Sequence, residues 1–303
     1  MTDGKSYFFV GIGGSGMLPL AMILAGTGAT VAGSDRTLDQ ARLPAKFDDL
    51  RAKGVRLFPQ DGSGIVSADQ IVVASAAVEA TVADIVAADA VGAPRMSRAE
   101  LLASLFNAST LPIGVAGTSG KSTVTGMIGW ILHAIGRDPT VMNGAVMKNF
   151  VRPDAPFASA LVGSGGPFVS EVDESDGSIA LYRPKIAVLN NVSLDHKSLD
   201  ELRTLFDGFI HRARTAIVNA DNEEALWLGM GMPRERLETF GFGEDADLQA
   251  RDIVEAPFSV TFDLVGYGQK IPVTLAVPGR HNVSNALAAI GAARAALRLV
   301  TSS

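Results

Sequence analysis

The stretch Val115-Ala-Gly-Thr-Ser-Gly-Lys-Ser-Thr123 decides how this chain folds. The apolar run Ile113–Ala116 predicts a buried strand that enters it, and Ser122–Ile135 predicts a helix that leaves it. Glycines at such a junction let backbone N–H groups surround an anion at the positive end of a helix. Lysine and serine then add a mobile positive charge and a hydroxyl for magnesium. The stretch predicts a triphosphate-binding loop that comprises Gly117, Thr118, Ser119, Gly120, Lys121, Ser122 and Thr123.

The loop is a variant of the usual pattern, because Val115 stands where the Walker motif has glycine. It is closest to the form G-T-x-G-K-[ST]. The strand before it and the helix after it provide the context that this motif requires. We therefore expect ATP as the nucleotide and Lys121 as the residue that contacts its β- and γ-phosphates.

An acidic cluster, Glu171-Val-Asp-Glu-Ser-Asp176, follows the apolar run Phe168–Val169 and so lies at the carboxyl end of a predicted strand. Ligands collect at the carboxyl ends of strands in open α/β sheets, and carboxylate oxygens suit magnesium. Strand alternation sends Glu171 and Asp173 to one face and Val172 and Glu174 to the other. A solvated acidic loop is the alternative, but beside a phosphate loop we expect a magnesium site.

Two further polar clusters follow strands and are predicted to reach the same rim of the sheet. Asn190-Asn-Val-Ser-Leu-Asp-His196 comes after the strand Lys185–Asn190, and its histidine is a candidate functional residue or a structural one. Pro278-Gly-Arg-His-Asn-Val-Ser-Asn285 precedes or opens the helix Val283–Leu299. Asn282 or Ser284 could serve as a helix cap, but a cap does not require His281 and Asn285 as well.

A second glycine-rich loop, Gly11-Ile-Gly-Gly-Ser-Gly16, lies between the predicted strand Tyr7–Ile12 and the predicted helix Met17–Ala25. It fits G-x-G-x-x-G, and Asp35 ends the next strand, where NAD-binding proteins hold a ribose. The motif alone is weak evidence, and a turn that needs glycine for its shape is the alternative. Nothing in the motif separates NAD from a UDP-sugar.

Strands and helices alternate along most of the chain, which predicts an α/β fold with two parallel-sheet domains. We expect a Rossmann-like domain over residues 1–108 and a P-loop ATPase-type domain over 109–303, with the boundary in the polar stretch Asn107–Pro112. The alternating runs Ser259–Leu264 and Pro272–Val277 predict an antiparallel addition to the second sheet.

Composition excludes several functional classes. Of 303 residues, 47% are hydrophobic and 6% aromatic, which fits a core of aliphatic strands and helices. The charge of −6 disfavours non-specific nucleic-acid binding, which needs a basic face. The absence of cysteine excludes disulfides, thiolate metal sites and cysteine nucleophiles. Because no apolar stretch reaches the roughly 20 residues of a membrane span, we expect a cytoplasmic protein without a membrane span.

The order of the motifs resembles the Mur ligases, the amide ligases of bacterial cell-wall synthesis. Among them the chain looks most like the ligases that join L-alanine to UDP-N-acetylmuramate, and like the related murein-peptide recycling ligases. The resemblance covers nearly the whole chain and is carried by GIGGSGM (11–17), GSD (33–35), AGTSGKST (116–123), NGA (143–145), EVDESD (171–176), NNVSLDH (190–196) and PGRHNVSNALAA (278–289).

The resemblance implies a role for each matching position. It implies that Lys121, His196 and Glu171 are catalytic, that Ser122, Glu171 and His196 hold magnesium, and that His281 and Asn285 contact the adenine of ATP. It also implies a UDP-N-acetylmuramate site made of Gly11, Gly13, Gly14, Ser15, Gly16, Asp35, Ser75, Arg95 and Asn143. An amino acid would be the second substrate.

Two departures from the family pattern accompany the resemblance. Ser119 stands where the alanine-adding ligases carry histidine. Mur ligases also have a C-terminal α/β domain that closes over ATP, and the likeness here ends with the helix Val283–Leu299. We therefore expect a two-domain form, whether a fragment or natural, that binds both nucleotides and ligates poorly by itself. A sensor of UDP-muramate and ATP without turnover and an NAD-dependent oxidoreductase are the alternatives.

Overall fold

The computed structural model describes residues 4–75, 77–153, 155–194 and 197–301. Its strands are β1 (Ser6–Val10), β2 (Thr30–Ser34), β3 (Arg56–Phe58), β4 (Gln70–Ala74), β5 (Arg95–Ser97), β6 (Leu111–Ala116), β7 (Thr140–Met142), β8 (Ala160–Leu161), β9 (Pro167–Glu171), β10 (Ile186–Leu189), β11 (Thr215–Asn219), β12 (Leu237–Gly241), β13 (Leu248–Ala256), β14 (Ser259–Gly266) and β15 (Gln269–Leu275). Its helices are α1 (Met17–Gly26), α2 (Arg36–Asp39), α3 (Pro44–Ala52), α4 (Ala83–Val91), α5 (Arg98–Ala108), α6 (Lys121–Ala134), α7 (Leu199–Arg212), α8 (Glu223–Met230) and α9 (Arg280–Thr301).

The chain forms two compact units, and the first combines Met1–Ala108 with Met142–Gly163. Our sequence prediction assigned 142–163 to the second domain. The structure groups this segment with the first unit because it packs on α1: a Cβ added to Gly26 would lie 2.6 Å from Cγ1 of Val162. The backbone N–H of Asn143 also donates to the carbonyl of Ser159 within the same segment, at 2.9 Å.

The first unit contains a parallel sheet with the strand order β3-β2-β1-β4-β5. This order places β1 at the centre of the sheet. The loop that follows β1 lies at the carboxyl ends of the parallel strands, where ligands bind in folds of this type. Buried apolar residues of β1 and β4, among them Phe8, Val10 and Val72, pack with Ile85 and Ala88 of α4. The predicted Rossmann-like sheet is therefore present.

The second unit combines Ser109–Val141 with Ser164–Ser303. From one edge its strands follow the order β15-β14-β13-β12-β11-β10-β6-β9-β7. The pairings from β12 through β11, β10 and β6 to β9 are parallel, whereas β14 is antiparallel to both of its neighbours, β13 and β15. The predicted α/β class and the antiparallel addition are both confirmed.

Helix α9 packs closely on this sheet because small residues line the face that it buries. Ala288, Ala289 and Ala292 are fully buried, and a Cβ on Gly291 would lie 3.0 Å from the Cγ2 methyl of Ile217. The start of α9 therefore lies near the carboxyl ends of the central strands. Across the described part of the chain, no helix has the length and apolarity needed to cross a membrane.

Candidate functional site

The predicted triphosphate loop joins the end of β6 to the start of α6 in the second unit. Parallel pairing sets Ala116 beside Leu189 of β10 and Val115 beside Glu171 of β9. The loop thus opens at the carboxyl edge of three neighbouring strands. No side chain caps the first turn of α6 among the described residues, so its backbone N–H groups face the loop. This arrangement suits an anion.

Gly120 is required by the shape of the loop. Its φ of +83° is a left-handed conformation that other residues adopt at a cost. A Cβ at this position would lie 2.8 Å from Oδ1 of Asn285 and closer still to Nδ2 of Asn190. The glycine therefore allows two asparagines to approach the backbone where the helix begins.

Asn190 and Asn191 hold the loop from the end of β10. The side-chain amide of Asn190 donates to the carbonyl of Ser119 at 3.0 Å and to Oδ1 of Asn285 at 3.2 Å. Asn191 accepts from the backbone N–H of Ser119 at 2.9 Å, and its carbonyl accepts from Thr118 at 3.1 Å. These contacts support the loop independently of any ligand.

The side-chain oxygen of Asn190 is buried and has no hydrogen-bond partner among the described residues. The residue as a whole is 4% exposed. An unsatisfied acceptor of this kind has a free-energy cost unless something binds it. The sequence analysis placed Asn190 in a polar cluster at the carboxyl ends of the strands. Its hydrogen bonds to the triphosphate loop and to Asn285 are seen only in the structure.

Ser122 and Glu171 come together at the first turn of α6. The hydroxyl of Ser122 donates to Oε2 of Glu171 at 2.7 Å. A hydroxyl and a carboxylate are the hard oxygen donors that magnesium prefers, with water or phosphate oxygens completing its shell. These two residues therefore fit the predicted metal ion, and they stand where the sequence analysis expected them.

Lys121 is paired with Glu174, a residue that the sequence analysis assigned to the opposite face. The ammonium donates to the carbonyl of Gly117 at 2.8 Å and to Oε2 of Glu174 at 3.1 Å. Strand β9 ends at Glu171 and the chain then turns, so strand alternation alone does not determine where the side chain of Glu174 lies. The backbone N–H of Gly177 donates to the carbonyl of Glu174 at 3.2 Å within that turn. In the sequence, only the position of Glu174 within the acidic cluster indicated that it could belong to the site.

The remaining ATP-binding and metal-binding candidates differ in placement. Asn285 is buried on α9 and meets Asn190, as described above. His281 is exposed in the first turn of the same helix. His196 lies outside the described residues. The described residues contain no group of three or more His, Cys, Asp or Glu side chains that could hold a metal ion, and that set does not include His196.

The first glycine loop is tied to Asp35 in the first unit. Oδ2 of Asp35 accepts from the backbone N–H of Gly13 at 2.7 Å, while Oδ1 accepts from the N–H of Thr37 at 2.8 Å and from its hydroxyl. A Cβ on Gly13 would lie 2.9 Å from Oδ2, so glycine is needed for this approach. Asp35 is 7% exposed and caps α2. Its carboxylate holds the loop in place.

A cavity of about 600 Å³ lies beside this loop. Gly11 and Asp35 line it together with Arg36 and Arg42, two cations that the sequence analysis did not select. The two guanidinium groups can bind an anionic group of a ligand, and Asp35 and Glu79 add two carboxylates to the same lining. The sequence could have indicated Arg36 as a candidate, because it directly follows Asp35.

Ser75 and Arg95 do not line this cavity. Ser75 directly follows β4, whereas Arg95 opens β5 with its guanidinium 3.4 Å from the carboxylate of Asp89. Arg98 instead reaches the glycine loop: a Cβ on Gly16 would lie 2.9 Å from its Cδ and 3.2 Å from its Nη1. Arg98 is therefore the better-placed cation of the two.

The other candidates of the first unit differ in exposure. Gly14 and Ser15 are exposed within the loop, and Gly16 is half-buried at its end. Asn143 is 3% exposed and belongs to the segment that packs with the first unit. Of the predicted UDP-sugar residues, the structure brings together the glycine loop and Asp35, through the hydrogen bond from Gly13 to Asp35.

Comparison with known families matches both units. Residues 6–110 match the domain described as "Mur ligase family, catalytic domain", and residues 115–293 match the "Mur ligase middle domain". The chain is 37% identical over 296 residues to a UDP-N-acetylmuramate–L-alanine ligase of Streptomyces coelicolor, covering 95% of this chain and 62% of that protein. It is 38% identical over 304 residues to the ligase of the same name from Acidithiobacillus ferrooxidans, again covering 95% and 62%. The chain thus spans about three fifths of the length of these relatives.

Solved structures give the same picture. UDP-N-acetylmuramate–alanine ligase MurC of Thermotoga maritima superimposes with a TM-score of 0.78 at 25% identity, covering 94% of this chain and 64% of that one. A murein peptide ligase of Psychrobacter arcticus gives 0.82 at 26%, covering 96% and 65%. A ligase titled UDP-N-acetylmuramate:L-alanyl-gamma-D-glutamyl-meso-diaminopimelate ligase, from Neisseria meningitides, gives 0.79 at 26%, covering 96% and 93%.

Proposed function

Because this chain belongs to the Mur ligase family, we propose that it binds ATP and UDP-N-acetylmuramate as part of an ATP-dependent amide ligase of peptidoglycan precursor synthesis. The observation that carries the proposal is the loop at Gly117–Thr123, with Lys121 at its centre and the Ser122–Glu171 pair beside it. L-Alanine is the proposed amino-acid substrate, since the relatives at 37–38% identity bear the name of the alanine ligase.

In the proposed reaction, the lactyl carboxylate of the muramate unit attacks the γ-phosphorus of ATP and releases ADP. The acyl phosphate that results is attacked by the amine of the amino acid, and phosphate leaves as the amide forms. Lys121 and the N–H groups at the start of α6 would offset negative charge on the transferring group. Magnesium held by Ser122 and Glu171, together with His196, would neutralise further phosphate charge.

The first unit would hold the UDP-sugar. Gly11, Gly13, Gly14, Ser15 and Gly16 are proposed as its backbone cradle, with Arg36, Arg42 and Arg98 supplying positive charge. Asp35 supports this cradle through the N–H of Gly13, so its carboxylate is already occupied by protein donors. The names of the relatives favour UDP-N-acetylmuramate over NAD as the ligand, and Asp35 remains a proposed contact of that ligand from the family resemblance. Ser75, Arg95 and Asn143 remain proposed contacts from the family resemblance, as do His281 and Asn285 for adenine.

Calorimetric titration of the 303-residue chain tests the proposal. We expect separate, saturable binding of ATP with Mg²⁺ and of UDP-N-acetylmuramate, and no binding of NADH. A product assay with L-alanine and with the peptide L-alanyl-γ-D-glutamyl-meso-diaminopimelate then identifies the acceptor and shows whether the chain turns over. Failure to bind ATP would contradict the proposal, and binding of NADH at the first loop would support the oxidoreductase alternative. Binding of both nucleotides without phosphate release, even after a C-terminal Mur ligase domain is added, would favour a sensor.

A further inference from the structure

The ammonium of Lys121 is held by acceptors of the protein itself. It donates to the carbonyl of Gly117 at 2.8 Å and lies 3.1 and 3.4 Å from the two carboxylate oxygens of Glu174. The side chain of Lys121 is 19% exposed and that of Glu174 is 7% exposed. The ion pair is therefore largely shielded from water, where charges interact more strongly than at the surface.

The turn that carries Glu174 is held by its own hydrogen bonds. The backbone N–H of Ser175 donates to Oδ1 of Asp173 at 2.9 Å, and that of Ser178 donates to Oδ1 of Asp176 at 2.9 Å. The carbonyl of Glu174 accepts from Gly177 at 3.2 Å. Glu174 is thus presented to Lys121 by an ordered turn.

Phosphate oxygens need the same ammonium. The lysine of a phosphate loop contacts the β- and γ-phosphates, whereas the α-phosphate is held mainly by backbone N–H groups. A nucleotide that reaches Lys121 brings negative charge next to the carboxylate of Glu174, and like charges at short range repel. The nucleotide therefore binds more weakly, because either Lys121 must separate from Glu174 or the phosphate must lie close to the carboxylate of Glu174.

We infer that Glu174 is an internal counter-ion of the triphosphate loop, which competes with the β- and γ-phosphates for Lys121 and so lowers nucleotide affinity. The inference rests on the proposed function, because it presupposes that the loop binds ATP. It gives Glu174 a role distinct from that of Glu171, whose carboxylate meets Ser122 instead.

The test compares the affinities of wild type, Glu174→Gln and Asp176→Asn for ATP, ADP and AMP by calorimetry at one Mg²⁺ concentration. Glu174→Gln keeps the shape of the side chain and removes its charge, so we expect about tenfold tighter binding of ATP and ADP. AMP affinity should not change, because AMP has no β-phosphate. Asp176→Asn removes the same charge from the same turn and keeps the side-chain oxygen that accepts from the N–H of Ser178, so it should bind all three ligands like wild type.

Each result decides between the possibilities. Equal or weaker binding of ATP by Glu174→Gln would overturn the inference while leaving the proposed function in place. An equal gain for AMP, or the same gain in Asp176→Asn, would also overturn it, because the effect would then be a general one. If neither wild type nor Glu174→Gln binds ATP, the proposed function fails and the inference with it. Should Glu174→Gln not fold, Glu174→Asp is expected to bind ATP severalfold tighter, because the shorter side chain withdraws the carboxylate from Lys121.

Discussion

The hydroxyl of Ser122 lies 2.7 Å from a carboxylate oxygen of Glu171, although 49 residues separate them along the chain. Parallel pairing of β6 with β9 produces this contact, because it sets Val115 beside Glu171 and the helix starts a few residues later. The sheet thereby holds together the two oxygen donors that we propose as magnesium ligands.

Glu171→Gln is expected to weaken the binding of ATP in the presence of Mg²⁺ by roughly tenfold or more, because it removes a charged oxygen ligand. Titrations with ATP in Mg²⁺ and in EDTA measure the effect. The metal-free affinity is the internal control and should change little. An equal loss in EDTA would show that Glu171 acts on the loop and not through the metal.

Asn190→Ala is expected to reduce the free energy of unfolding by about 1–3 kcal/mol, because Oδ1 of the buried Asn285 loses a donor and the carbonyl of Ser119 keeps only its hydrogen bond from Asn191. Urea denaturation followed by circular dichroism measures the change. Asn282→Ala is the matched control, since its amide donates only to the carbonyl of Pro278 near the surface. Equal losses in the two variants would contradict the supporting role of Asn190.

Arg98→Ala is expected to weaken UDP-N-acetylmuramate binding by about tenfold, because one charged hydrogen-bond donor near the glycine loop is lost. Arg95→Ala should leave affinity close to that of wild type, since its guanidinium pairs with Asp89. Calorimetry on the two variants gives the comparison. The larger loss in Arg95→Ala would support the family-based assignment over the geometric one.

Asp84 gives the first unit a pH-dependent stability. Burial raises the pKa of its carboxyl, although hydrogen bonds from the Ser34 hydroxyl and the Gly62 N–H act in the opposite direction. A raised pKa means that the folded state favours the protonated acid. This contribution is complete below the ordinary Asp pKa of about 3.9 and is lost as the pH rises through the folded value.

Asp84→Asn should therefore become more stable relative to wild type as the pH rises from about 4 toward neutrality, because the amide cannot ionise. Thermal or urea unfolding across this range measures the difference between the two proteins. A difference that is independent of pH would contradict a raised pKa at Asp84.

The central strands and helices could be predicted because each carries its own signal. The predicted strand Ile113–Ala116 lies within β6, and the predicted helix Met17–Ala25 ends one residue before α1 does, since each is a continuous apolar run. The short strands β3 and β5 were missed because three residues give no periodicity, and they exist through pairing with β2 and β4.

The site was predictable where a motif determines the local backbone, as at Gly117–Thr123 and Gly11–Gly16. It was not predictable where a contact depends on how distant segments meet. Glu174 reaches Lys121 through the turn that follows β9, and the alternation rule for strands does not describe that turn. Arg98 lies only three positions after Arg95 in the sequence. It lies beside Gly16 because it is the first residue of α5, and the sequence motif does not show this.

The most direct test of the account is the ATP affinity of Lys121→Ala beside that of Lys185→Ala. Both variants lose one positive charge from the second unit. Lys185, however, directly precedes β10 and so lies at the amino ends of the parallel strands, where it donates to the carbonyl of Thr110. We expect Lys121→Ala to bind ATP roughly 30-fold or more weakly than wild type, and Lys185→Ala to match wild type. Unchanged ATP affinity in Lys121→Ala would contradict the claim that this loop surrounds a triphosphate.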